Sequence, residues 1–385
     1  MAFNQNKLSV GETEDNMTMQ NTIQAQKIAI IGTAGIPANY GGFETLTEYL
    51  TQHLGGLLDL TVFCSSKNYP EKLPTYNNAR LIYIPLNANG IQSIPYDIVS
   101  MLRALFFADT FLILGVSGCI ILPIIRLISR KHIVVNIDGL EWKRDKWNNF
   151  AKWFLKFSEK IAVKFSDEVI TDNKAIQDYV TQEYGIQSNW IAYGADHAIQ
   201  VPITDEIRTT YPFINHEYGF TVCRIEPENN IHIILDALSH TDFPFIMIGN
   251  WQNSEYGREL KTKFSTYTNI HLYEPIYDQN ILNQLRGNAT LYIHGHSAGG
   301  TNPSLVEAMY LGLPIIAFDI DYNRETTENS AKYFTNSIAL QEHISTMDVE
   351  ELSLLKQKMG VIAHRRYTWE VIVKQYAQVI RNDRK

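Results

Sequence analysis

Cysteine is scarce in this chain: Cys64, Cys119 and Cys223 are its three, far apart and without a Cys-x-x-Cys pair. Such spacing provides neither a disulfide framework nor a zinc site, and it suits a reducing compartment. Long apolar runs are missing as well. The most membrane-like stretch, "TFLILGVSGCIILPII" at 110–125, falls short of the roughly 20 residues that span a bilayer, and Gly115, Gly118 and Pro123 interrupt it. We read it as a buried strand followed by a core helix. Positive charge is in deficit, with 33 Lys and Arg against 41 Asp and Glu and a formal net charge of −8. That balance disfavours nucleic acid as a partner held by bulk electrostatics. Residues 1–26 are polar with no apolar stretch, unlike a secretory signal, and are expected to form a disordered leader.

What remains is the composition of a globular protein, 385 residues with 45% hydrophobic and 19% charged, too long for one core. Short apolar runs alternate with helical stretches. Candidate strands are Lys27–Ile31, Leu60–Cys64, Arg80–Ile84, Thr110–Leu114, His132–Ile137, Glu168–Thr171 and Trp190–Ala192. A second series runs through Tyr218–Val222, Pro244–Ile248, Ile270–Tyr273, Leu291–His294 and Pro314–Phe318. Strands apolar on both faces and separated by helices predict parallel sheets covered on each side, hence two doubly wound α/β domains. A polar, proline-bearing stretch at 193–219 sets the boundary, giving domains 27–195 and 196–366. The segment "YTWEVIVKQYAQVIRN" predicts a closing helix within 367–385, assigned to the first domain.

Two strand–glycine–helix passages stand out. In "IAIIGTAGIPANYGGFETLTEYL" (28–50), Gly41 and Gly42 sit where the helix begins, so free N–H groups and the positive dipole end suit an anion. The same glycines also suit a tight turn that needs positive φ. The spacing is neither Gly-x-Gly-x-x-Gly nor a P-loop. In "HGHSAGGTNPSLVEAMYLGLPIIAFD" (294–319), Asn302 before Pro303 predicts an N-cap and first helical residue. Ser304 and Glu307 match a Ser-x-x-Glu capping box. A second reading sets the Glu307 carboxylate on a ribose diol and the Gly300–Asn302 amides on a diphosphate.

"GTAGIPANYGGFET", "NIDGLEWKRDKW", "CRIEPENNIH" and "HSAGGTNPSLVEAM", in that order, resemble the GT-B glycosyltransferases of family 4, in particular their bacterial rhamnosyltransferase-type subgroup of capsule and cell-wall polysaccharide assembly. The resemblance runs from Lys27 to the last helix. It implies two Rossmann-like α/β domains facing across a cleft, a C-terminal crossing helix, and sugar transfer with retention. It further implies that Arg224 pairs with the donor diphosphate and that Glu307 holds the ribose. Gly299, Gly300, Thr301 and Asn302 would line the donor, and Gly41 and Gly42 would approach its diphosphate from the other lobe. Asp138 would stand near the acceptor, although an Asp-Gly pair is also a common turn.

Two positions depart from the family pattern. Gly299 stands where the first of two glutamates eight positions apart is usual, and Asn229 stands where a lysine commonly follows the arginine. We read both as tuning for a less hydroxylated sugar. The implied reaction moves a sugar, L-rhamnose from dTDP-L-rhamnose, to a lipid-linked saccharide acceptor, with no cofactor or metal required. Alternatives are another hexose donor such as UDP-glucose, UDP-galactose or a UDP-N-acetylhexosamine, a sugar-nucleotide epimerase, or a non-catalytic subunit. His294 and His296 are read as strand-end polar groups, and Asp319-x-Asp321 as a solvated loop; Arg324 is a candidate contributor near the phosphates. The basic and aromatic stretch at 141–165, including Lys143, Arg144, Lys146, Trp147, Lys152 and Trp153, suits either a packed helix or a membrane-docking surface. The expected location is the cytoplasm, peripherally on the inner face of the membrane.

Overall fold

The computed structural model describes residues 26–39, 41–144 and 147–381. Of the leader expected at 1–26, residues 1–25 lie outside them, as do Lys146 and residues 382–385. Among the described residues, β1 (Lys27–Ile31), β2 (Asp59–Ser65), β3 (Thr75–Tyr76), β4 (Ala79–Ile84), β5 (Thr110–Leu114), β6 (His132–Asn136), β7 (Glu168–Thr171) and β8 (Asn189–Trp190) form a sheet in the order β3-β4-β2-β1-β5-β6-β7-β8. A second sheet contains β9 (Gly219–Val222), β10 (Phe245–Ile248), β11 (Ile270–Tyr273), β12 (Leu291–His294), β13 (Ile315–Phe318) and β14 (Lys332–Phe334), in the order β11-β10-β9-β12-β13-β14.

All pairs in the second sheet are parallel, while the β3–β4 pair in the first is antiparallel. The parallel interior strands are apolar on both faces, as β5 shows with five buried residues in a row. This is the doubly wound α/β architecture the sequence predicts. In each sheet the first strand is central and the order reverses beside it, between β1 and β5 and between β9 and β12. Open α/β sheets bind ligands at such points, outside the carboxyl ends of the strands.

The chain divides into two compact units. One comprises the residues up to Ile137, Phe157–Val169 and those from Val373; the other comprises Asp138–Lys156 and Ile170–Ile372. These units do not follow the 195/196 boundary: 138–156 and 170–195 group with the second. One physical reason is the Asn173 side chain, whose amide donates to the Tyr322 carbonyl at 3.2 Å and to Thr326 Oγ1 at 3.3 Å. The closing helix spans Trp369–Ile380.

The core of the second sheet is formed by Ile231, Leu235, Phe245, Met247, Trp251 and Phe264, all almost fully buried. Each such side chain stabilises the fold by roughly 1.5–3 kcal/mol relative to exposure. The stretch at 110–125 forms β5, then a short turn and the helix Leu122–Ile128. That helix buries Leu122 and Ile125 but leaves Leu127 86% exposed. It is a surface helix with one buried face, which corrects the expectation of a core helix. No helix among the described residues is long and apolar enough to cross a membrane.

Candidate functional site

At the reversal between β9 and β12, the second unit holds a cavity of about 390 Å³, lined in part by Lys143, Glu228, Asn230, Ser297, Gly299 and Tyr322. The loops after β9 and β12 are tied to each other. Ser297 N–H and Ser297 Oγ both donate to the Glu228 carbonyl at 2.8 Å, and the Asn230 amide donates to the Gly295 carbonyl at 2.8 Å. Gly139 packs its backbone against the same wall: a Cβ there would lie 2.8 Å from Gly299 Cα and 3.1 Å from Gly300 N. Gly299 has φ +117°, and a Cβ there would meet nothing within 4 Å.

The helix Pro303–Tyr310 follows this loop. Asn302 is its N-cap, with Oδ1 accepting from Ser304 N–H at 3.0 Å and from Ser304 Oγ at 2.8 Å. Thr301 faces inward. It is buried, its hydroxyl donates to the Asp172 carbonyl at 2.5 Å, and its N–H is directed to the Asp172 carboxyl. Gly300 leaves room for that carboxyl, since a Cβ would fall 1.9 Å from Asp172 Oδ1. Burial, reinforced by the neighbouring Asp138, pushes the Asp172 carboxyl well above its ordinary value. Thr301 therefore braces the turn.

Glu307 does not reach back to close a capping box. Its Oε1 takes a hydrogen bond from His197 Nε2 at 2.8 Å, and its Oε2 is paired with the Arg286 guanidinium. Trp369 Nε1 donates to His197 Nδ1 at 3.0 Å. An indole N–H only donates, so the ring proton of neutral His197 belongs on Nε2, facing Glu307. Burial pushes the Glu307 carboxyl up, but Arg286 and His197 more than offset it and hold it below its ordinary value. A carboxylate has about four lone-pair sites, and these two bonds occupy two of them.

Arg224 is exposed in the loop after β9. Asn229 does not supply a second cation; its amide donates to the Arg224 carbonyl at 2.6 Å and braces the turn. Asp138 has φ +62°, as the Asp-Gly turn reading requires. Its carboxyl is raised by burial, with Arg144 and then Arg224 among the opposing influences. His294 and His296 stack with ring centroids 4.3 Å apart. Burial lowers both, and the Arg224 charge lowers His296 further, so the pair is neutral. Arg324 is bound to Asp319 through Nε at 2.5 Å and a second nitrogen at 2.9 Å. Among the described residues, no group of three His, Cys, Asp or Glu side chains comes together as a metal site.

Asp138, Arg224, Gly299, Gly300, Thr301, Asn302 and Glu307 all belong to the second unit, while Gly41 and Gly42 belong to the first. Gly41 has φ +133° at the start of the helix Gly42–Leu54. Glu44, in that helix, turns back to accept from Ala34 N–H at 2.7 Å and Thr33 Oγ1 at 3.2 Å. The protein's own carboxylate thus already satisfies part of this turn.

The stretch at 141–165 divides in two. Lys143 lines the cavity, and Arg144 is paired with Glu141 at 2.6 Å. In the helix Asn149–Phe165, Phe150, Trp153 and Phe157 are exposed, with Phe150 and Trp153 in ring contact. His197, Glu228 and Arg286 went unmarked by motif reading. Glu228 carried a weak signal, as the second of two acidic residues, after Glu226, in the "RIEPENN" that Arg224 opens.

Residues 207–347 match the family described as glycosyl transferases group 1, and residues 25–196 match one described as a domain of unknown function (DUF1972). No curated protein matches significantly. Among solved structures, sucrose-phosphate synthase from Thermosynechococcus elongatus superposes with a TM-score of 0.76 at 14% identity, over 92% of this chain and 98% of that one. HepE from Anabaena, in complex with UDP and glucose, gives 0.72 at 16% identity over 92% and 98%. S. aureus MnaA, solved with UDP, gives 0.61 at 13% identity over the same shares. The fold is GT-B. The match of residues 207–347 to glycosyl transferases group 1, on that fold, supports a glycosyltransferase.

Proposed function

We propose that the protein is a retaining glycosyltransferase of family 4 that moves L-rhamnose from dTDP-L-rhamnose to a lipid-linked saccharide in bacterial surface polysaccharide assembly. The observation that carries the reading is the cavity at the β9–β12 reversal, beside the turn that caps Pro303–Tyr310. Fold neighbours solved with UDP or UDP-glucose support a nucleotide-sugar donor.

In this reading the Gly300 and Asn302 amides and the helix N-terminus receive the diphosphate, with Thr301 bracing the turn behind them. Arg224 clamps it and stabilises the charge that grows on the departing nucleotide. Lys143 supplies a second cation, which compensates for Asn229. Glu307, held by Arg286 and His197, presents its remaining lone pairs to the ribose diol. The leaving phosphate takes the acceptor proton on the face from which the acceptor attacks, while Arg224 and the helix N-terminus supply the positive charge that stabilises the departing diphosphate, so the proposed chemistry requires no metal. Phe150, Trp153 and Phe157 dock the protein on the inner membrane surface, where the lipid-linked acceptor resides.

A panel of dTDP, UDP and GDP sugars tests the donor. Thermal stabilisation and slow donor hydrolysis are expected to be largest with dTDP-L-rhamnose. A larger response to UDP-glucose would transfer the assignment to a glucosyl donor, and no response to any sugar nucleotide would overturn it.

A further inference from the structure

We propose that Glu228 is the residue that recognises the transferred sugar, accepting hydrogen bonds from its hydroxyl groups inside the cavity. The inference rests on the donor reading above and assigns one end of that site.

Glu228 lines the cavity and is 8% exposed. Its Oε2 is buried without a hydrogen-bond partner among the described residues. Its backbone is fixed by the two bonds from Ser297, so the side chain issues from a rigid turn, Pro227–Asn229. A carboxylate left unpaired in a buried place is costly, and the cost is recovered when a ligand donates to it.

Charge decides which part of a donor belongs there. A diphosphate is repelled by a carboxylate and is drawn to Arg224, Lys143 and the helix N-terminus. A sugar ring brings several O–H donors and no charge, which matches an acceptor-only group. Glycine at 299 leaves the adjoining space open, since a side chain there would begin with no neighbour within 4 Å. Glu228 then distinguishes a nucleotide sugar from the bare nucleoside diphosphate produced by the reaction. It aids donor capture without strengthening product retention.

The test is calorimetric titration of the full chain with dTDP, dTDP-L-rhamnose, UDP and UDP-glucose, for the unaltered protein, Glu228→Gln and Glu228→Ala. The expected result is a loss of at least about tenfold in affinity for the preferred nucleotide sugar in Glu228→Ala, and a smaller loss in Glu228→Gln, which keeps one acceptor oxygen. Affinity for the matching nucleoside diphosphate should stay within about twofold or tighten, which also shows that the variants are folded. Equal losses for sugar nucleotide and diphosphate, or no loss for either, would overturn the role of Glu228 alone. Failure of the unaltered protein to bind any of the four ligands would instead overturn the donor site itself.

Discussion

His197 Nε2 and Glu307 Oε1 are 2.8 Å apart, and the Trp369 indole fixes the opposite edge of the imidazole. The pair orients the carboxylate we assign to the donor ribose. His197→Ala removes one of its two anchors, and a hydrogen bond to a charged group is worth roughly 1.5–3 kcal/mol. Donor KM is expected to rise about tenfold with kcat changed less than about threefold. A fall in kcat at constant KM would contradict a positioning role. The same network gives a pH signature. Because the folded value of Glu307 lies below its ordinary one, its stabilising contribution is present above the ordinary carboxylate range and is lost as pH falls through the folded value. Glu307→Gln should therefore flatten the acid limb of a chemical-denaturation profile.

Asp97 predicts the opposite slope in the first unit. Its carboxyl is pushed by burial from 3.8 to about 8, opposed only by the Gly118 N–H, and its Oδ1 is buried without a partner. A carboxyl with a raised folded value keeps its proton in the folded chain while the unfolded chain ionises. Its contribution is thus intact below about pH 4 and declines by roughly 1.4 kcal/mol per pH unit until the folded value near 8 is reached. Asp97→Asn removes the ionisation. Its stability advantage over the unaltered protein should grow between pH 5 and about 7, measured by urea unfolding at each pH. An advantage independent of pH would show that Asp97 is not protonated in the fold.

Gly139 is expected to tolerate no side chain. Alanine there meets backbone at Gly299 and Gly300, and overpacking of this kind costs about 1–3 kcal/mol. Gly139→Ala should lower the melting temperature and weaken nucleotide-sugar binding together, because the displaced loop forms the cavity wall. Unchanged donor affinity would separate the 139–299 contact from the site.

Membrane docking has a sharper test than charge reversal of the basic stretch, because Lys143 lines the cavity and Arg144 is held by Glu141. Replacing Phe150 and Trp153, 73% and 61% exposed, with serine should reduce co-sedimentation with anionic vesicles while leaving the fold intact. Undiminished co-sedimentation would remove this face from the account.

Much of the fold was legible because parallel interior strands announce themselves as short apolar runs. β1, β5, β7, β11 and β12 fall on their expected residues. β3 and β14 escaped notice: at two and three residues on sheet edges, with mixed burial, they have little apolar pattern to read. The N-cap at Asn302 was visible because capping chemistry is local. Lys143 and Glu228 were not legible as neighbours, since their meeting at one cavity depends on tertiary placement of segments far apart in the chain. The Glu307 network was hidden for the same reason, with His197, Arg286 and Trp369 coming from three separate passages.

The central claim is that a nucleotide-sugar donor is bound and activated in the second unit by Arg224 and Glu307. Its most direct test is transfer from dTDP-L-rhamnose to a lipid-linked acceptor by the unaltered protein, Arg224→Ala and Glu307→Ala, with melting curves confirming folded variants. The account predicts transfer at sub-saturating donor lowered at least about a hundredfold in each variant, because Arg224→Ala loses a charge that stabilises the departing diphosphate and Glu307→Ala loses the anchor of the donor ribose. Near-normal transfer by both folded variants would contradict it.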